Sequence, residues 1–367
     1  MPAASWADRH RLVGRQAVDP SRRRLLLSAT VLLAVPLLGG CAAAPAPTST
    51  QLAHALGAGL AARDRAGFTA LFAPTAGAQA LAARVFANLN GAGAGFAAPS
   101  SDRLSVSWNL PGEPQVVSEV TLVLRDGLID ALNATSTGTE WLDEPLIVHA
   151  EGSLVVATAE QQQSTRWPAA ARAGLDALST VWPAGQLRPE PLVVLAPSDL
   201  LGFARYAGSG AGVTAAVTVV PGTAGSAGVR VVVNPVAPEN AGTDAATLTH
   251  EAVHAAMRSP WLTGTPGWLL EGIAEALTAR AHEPVATANA AAVRAAIAHG
   301  LPATLPQVGG GDPADYAFAQ VAVDAMVRRV GWAAVFDEAR RRSTPAGGTI
   351  HDADVLGWYL DELARLR

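Results

Sequence analysis

The five residues His250-Glu251-Ala252-Val253-His254 constrain this chain more than any other stretch of it. Histidines four residues apart share one face of an α-helix, about a turn from each other. Imidazole nitrogen binds zinc at about 2.0–2.1 Å, so two such side chains can share one ion. Glu251 adjoins the first histidine, where its carboxylate can reach a water on the metal. This is the HExxH arrangement: two ligands, with a glutamate as general base. The helix is expected to start at Thr243 or Asp244, both good N-caps, and to end before Pro260. On these residues alone, an ordinary helix with two surface histidines remains the plainer alternative.

A catalytic zinc usually has three protein ligands and one open position. The next helix offers the third. Thr265 and Pro266 suit its N-cap and first turn. It then runs Gly267-Trp268-Leu269-Leu270-Glu271-Gly272-Ile273-Ala274-Glu275-Ala276-Leu277. Sixteen residues separate His254 from Glu271, enough for a loop over 260–266 and an antiparallel return. Trp268, Leu269, Leu270 and Ile273 surround Glu271, which argues against a merely solvated acidic face. Glu275, one turn further along, is placed to accept the free ring N–H of a ligand histidine and fix its tautomer. Gly272 is expected to let the two helices approach closely beside the metal.

HEAVH followed by WLLEGIAEAL resembles the gluzincin peptidases, in particular the bacterial peptidase-MA-like domain. The resemblance implies His250, His254 and Glu271 as zinc ligands and Glu251 as general base. Arg230-Val231-Val232-Val233-Asn234-Pro235 resembles the strand before the metal helix in actinobacterial members. Tyr316-Ala317-Phe318-Ala319-Gln320 resembles, more loosely, a later helix. The similarity covers about 146–345. Some gluzincins stabilise the oxyanion with a tyrosine hydroxyl, and Tyr316 has the right chain order. It also fits as a packed aromatic with Phe318, Val321 and Met326, and His282 and His299 are further candidates. The implied activity is hydrolysis of a peptide or protein substrate with Zn2+ as cofactor, the strand at 229–233 holding the substrate by edge pairing. The competing reading is a catalytically silent, zinc-stabilised binding module on the cell surface, which would have no need of Glu251.

The N-terminus reads as an address. Arg22, Arg23 and Arg24 precede a 14-residue apolar run ending at Leu38. That is shorter than the roughly 20 residues of a spanning helix and has the form of a signal-peptide core. The paired arginines resemble a twin-arginine export signal. Leu38-Gly39-Gly40-Cys41 resembles a bacterial lipobox, and Cys41 is the only cysteine in the chain. The expectation is a signal over 1–41, lipid on Cys41 anchoring the protein to a membrane outside the cytoplasm, and a flexible tether over 42–50. Six arginines face two aspartates in residues 1–41, net +4, which leaves −9 of the total −5 for the remainder. Every basic residue is arginine, and the remainder after the leader is acidic overall, with no basic patch suited to nucleic acid, which sets that partner aside.

The chain of 367 residues has room for about two domains. Apolar spacing predicts helices within 51–72 and 77–90, then alternating strands at Leu104–Trp108 and Val116–Leu124. This is a small helix-plus-antiparallel-sheet domain over 51–145, similar to the cone-shaped nuclear transport factor 2-like class at the level of fold alone. Residues 146–367 form the peptidase-like domain. Strands are expected at 154–157 and 191–195, a helix at 168–181, a hairpin of 213–220 with 229–233, and helices from 244 almost to the end. The expected fold class is therefore α+β: a cone-like unit followed by a zincin-like unit with a mixed sheet and a helical C-terminal lobe.

Overall fold

The computed structural model describes residues 46–159, 163–186, 191–208, 214–223, 226–308 and 313–367. The expected leader 1–41, with Cys41, lies outside the described residues. Chain from Ala46 to Arg367 forms one unit. Its first helix starts inside the expected tether, because the Thr48 hydroxyl and the Gln51 side chain close a capping box around α1 (Ser49–Ala61). α2 (Arg65–Thr69) and α3 (Ala76–Leu89) follow.

These helices cover one face of an antiparallel sheet in the order β1 (Gly95–Ser100), β2 (Arg103–Trp108), β3 (Val116–Arg125), β4 (Leu128–Ala134). Leu104, Val106, Trp108, Val116, Val120 and Leu122 point inward and meet Leu52, Leu56, Phe68, Phe72 and Phe86. β1 arises from a segment that reads as a Gly/Ala-rich loop. Its residues carry no alternating pattern, and pairing with β2 supplies the order they lack. α4 (Glu140–Asp143) closes this half.

The second sheet is mixed, in the order β5 (Ile147–Glu151), β6 (Leu154–Thr158), β7 (Leu192–Ala196), β9 (Arg230–Val233), β8 (Ala216–Val219). β6, β7 and β9 run parallel, and β5 and β8 are antiparallel edges. β9 is thus an interior strand, and the edge expected at 229–233 is supplied by β8. α5 (Gln163–Val181) and α6 (Leu200–Ala207) connect the strands. The chain then turns helical: α7 (Ala241–Met257), a short 3-10 turn (Ser259–Trp261), α8 (Gly267–Ala281), α9 (Glu283–Ile297), α10 (Pro313–Arg342, broken at Gly331) and α11 (Asp352–Leu366). The fold is α+β.

Residues on either side of position 145 share one core. Strands buried on both faces read as continuous apolar runs, and β6, β7 and β9 do. Leu154, Val156, Leu192, Val194, Val231 and Val233 pack on α5, α7 and α8. Val155, Ala157, Val193, Leu195 and Val232 pack into the core of the first half.

One ion triad seals that junction. Arg230, fully buried on β9, donates to both Glu113 oxygens at 2.7 and 2.8 Å and to Glu140 at 2.7 Å. Its guanidinium lies 4.4 Å over the Trp108 ring. Burial pushes the Glu140 carboxyl up against the pull of Arg230. Removing one partner of a buried pair strands the other's charge, at a cost of about 3–5 kcal/mol. Arg230→Met is expected to lose about that much in urea unfolding. Adding Glu113→Leu and Glu140→Leu should restore part of it, since no charge is then left stranded.

Candidate metal centre

The candidate metal-binding side chains are carried by two helices whose positions are set from outside the pair. α7 is capped by Asn240, three residues before the expected start, whose side chain accepts from the Gly242 and Thr243 amides at 3.1 and 3.0 Å. Asp244 pairs with Arg166 of α5 at 2.8 Å. Leu248, Ala252 and Val253 bury one face of α7. Against its back lies Gly174 of α5, where a Cβ would stand 2.8 Å from Ala245 O and 3.1 Å from Thr249 N.

α8 starts at Gly267, and Thr265 does not cap it: the Thr265 hydroxyl donates to Ala339 O at 2.6 Å. Gly272 does not face α7, contrary to expectation. A Cβ there would collide with Ala319 O and stand 2.7 Å from Val323 Cγ2, both on α10. The missing side chain seats α8 on α10, and it is Gly174 that lets a helix approach α7 closely.

On the facing surfaces of α7 and α8, three atoms converge. His250 Nε2 and His254 Nε2 are 3.1 Å apart, and Glu271 Oε2 lies 3.1 and 3.2 Å from them. These three side chains could hold one metal ion. The opposite ring nitrogens have their own partners: His250 Nδ1 is 3.1 Å from Glu275 Oε2, and His254 Nδ1 is 3.1 Å from Ser259 Oγ. Ionised carboxylate only accepts, so Glu275 holds a proton on His250 Nδ1 and leaves Nε2 as the nitrogen that would give up its proton to a metal. Glu275 is in turn held by Asn289 of α9 at 2.6 Å, and Asn289 reaches Gln320 of α10 at 2.8 Å.

The electrostatics favour positive charge at this point. Burial works against an imidazolium at His250, but hydrogen bonds to Glu271 and Glu275 outweigh it and hold its pKa well above the ordinary value. Burial would likewise raise Glu271, yet the His254 charge and both histidine hydrogen bonds hold it far below the usual carboxylate range. A proton or a metal cation meets the same demand, and metal binding displaces the proton.

Glu251 is buried and takes no part in the triangle. Its Oε2 accepts a hydrogen bond from the Thr218 hydroxyl of β8, the free edge strand. Tyr316 stands edge-on to His250, ring centres 6.3 Å apart, and among the described residues nothing binds its hydroxyl. Burial, with the nearby carboxylates Glu271, Glu251 and Glu275, raises its pKa and keeps it protonated. His282 is bound to Thr249 at 2.8 Å, and His299 is exposed. Of the three oxyanion candidates, Tyr316 alone has its ring beside a ligand histidine. A cleft of about 800 Å³ reaches His250, Glu251, Glu275 and Tyr316 between the start of β8, α7 and α9.

Thr218, Ser259 and Asn289 escape sequence reading. Each lies on a different element from the residue it holds, and none repeats at a motif spacing. Their effect is measurable. His254→Ala should abolish tight metal binding in a competitive chelator titration. Ser259→Ala should weaken it by about 10–100-fold, as removing a group that orients a ligand does.

No family model matches the chain, and no curated protein matches it.

Proposed function

We propose that the protein is a zinc-dependent metallopeptidase, anchored by lipid on Cys41 and working outside the cytoplasmic membrane. The observation that carries this reading is the triangle of His250, His254 and Glu271 beside a cleft that also holds Glu251. Ligands 2.0–2.1 Å from a shared tetrahedral ion stand about 3.3–3.4 Å from one another. The 3.1–3.2 Å separations are within a few tenths of an ångström of that spacing. Two imidazoles and a carboxylate are a donor set that catalytic zinc uses.

Bound zinc supplies Lewis acidity, activating water as a nucleophile and polarising the scissile carbonyl. Glu251 receives the proton of the attacking water and returns it to the leaving amine. Thr218 orients that carboxylate from the edge strand. The Tyr316 hydroxyl, protonated and unpaired, donates to the developing oxyanion. β8 offers its free edge to an extended peptide beside Glu251. A purely structural ion would need none of Glu251, Thr218 or the cleft, which favours catalysis over a silent binding module.

The cleft also bears on where a chain is cut. Its charged side chains are Glu251, Glu275, His250 and His282, with small or apolar walls at Ala216, Ala246, Val285 and Ala288. No arginine occurs between Arg205 and Arg230 or between Arg294 and Arg328, and the chain has no lysine. A free terminal carboxylate entering beside two glutamates finds repulsion, and among the cleft's lining residues no arginine or lysine to hold it. Both Glu275 oxygens already accept hydrogen bonds, and the mechanism commits Glu251 to the attacking water, so neither is assigned to a terminal ammonium. The reading is cleavage within a chain.

Wild type should bind about one zinc per chain. Glu251→Gln should keep zinc while kcat falls by about 10²-fold or more. A carefully prepared wild type with no affinity for zinc would sink the site, and a fully active Glu251→Gln would sink the proton transfer. In a peptide library, substrates blocked at both ends should be cut as fast as free ones. A requirement for either free end would contradict internal cleavage.

A further inference from the structure

The lipid anchor and the fold together decide which end of the molecule meets the membrane. The described chain starts at Ala46 and Pro47, which pack on the β3–β4 turn. Pro47 Cδ and Ala46 Cβ lie 3.0 and 3.4 Å from the position a Cβ would take on Gly127. That turn is a tight two-residue reversal, Asp126-Gly127, with φ +53° and +78°. Five peptide links join Cys41 to Ala46, a reach of at most about 18 Å. A folded body the size of residues 46–367 is roughly 50 Å across. Lipid on Cys41 therefore holds the β3–β4 end of the molecule at the bilayer.

That end has the chemistry for it. The inward-outward alternation of β3 stops at Leu122, where the pairing with β4 slips between Val123 and Leu124. Both residues are 39% exposed, consecutive on the strand leading into the turn and so presented on its two faces at the tip. Single exposed apolar residues are ordinary on any surface. These two stand out by lying next to the point where the anchored chain enters the fold. The charges beside them are Arg125, paired with Asp130, and Asp126, so the tip has no positive excess to draw it to anionic lipid.

We propose that the β3–β4 turn is the membrane-facing end of the protein and that Val123 and Leu124 rest in the headgroup–acyl boundary of the bilayer. The proposal depends on lipidation of Cys41 and not on peptidase activity. Contact is apolar, so it should not vary with lipid charge or salt.

The test uses the full-length acylated protein reconstituted in phosphatidylcholine vesicles, with and without phosphatidylglycerol. Acylated Cys41 has no free thiol, so Leu124→Cys or Val123→Cys takes a single environment-sensitive fluorophore. Val330→Cys, at an equally exposed apolar position on α10, is the control. The expected result is a blue shift at 123 and 124 on vesicle binding, equal in both lipids, and none at 330. An acylated, vesicle-bound protein with no shift at 123 and 124, or the same shift at 330, overturns the proposal alone. An intact mass without acyl chains overturns the anchor and this proposal with it. Zinc binding and hydrolysis, measured on the same sample, report separately on the peptidase reading.

Discussion

Three electron-pair donors held within 3.2 Å of one another repel unless a cation lies among them. Much of the second half of this molecule can be understood as the frame that holds them there. α7 and α8 do not clamp each other; each is clamped from behind. Gly174 lets α5 press its backbone on α7, and Gly272 lets α8 press on α10. Ser259, Glu275 and Asn289 then hold the rings and the carboxylate in their rotamers. The donors are preorganised, and the cost of gathering them is met by packing that lies away from the metal point.

The mixed sheet joins this frame to the rest of the chain. Its interior strands divide their side chains between two cores, one under the helical lobe and one shared with the first half. Of its two edge strands, β5 and β8, it is β8 that touches Glu251. On the proposed reading, the general base and the surface for an extended peptide are thus parts of one contact. Moving the edge from β9 to β8 also removes a conflict: β9 bears Arg230, whose side chain is committed to the first half.

What was legible in the sequence follows from range. His250, His254, Glu271 and Glu275 announce themselves because helical geometry repeats over three and four residues, and a motif spacing carries it directly. The helical lobe, the alternating strands and the α+β class are legible for the same reason. Asn240 was missed as a cap because Thr243 and Asp244 offer equally good chemistry nearer the motif, and only the course of the chain after β9 separates them. Gly272 was seen as a close-contact glycine, but a sequence does not say which neighbour it faces. β1 has no periodicity of its own. The shared core defeats a boundary drawn at 145, because the apolar residues that cross it lie in strands that look complete on either side.

Arg230 bears on ancestry. It sits in register with Val219 of the edge strand and is neutralised wholly by carboxylates from the first half, Glu113 and Glu140. A charge balanced across that distance in sequence cannot be inherited by one half alone. A shorter descendant that shed the chain up to residue 145 would need an uncharged side chain at this position, and one that kept arginine would have kept its companions. The strand beside the β8 edge therefore records whether the two halves have travelled together.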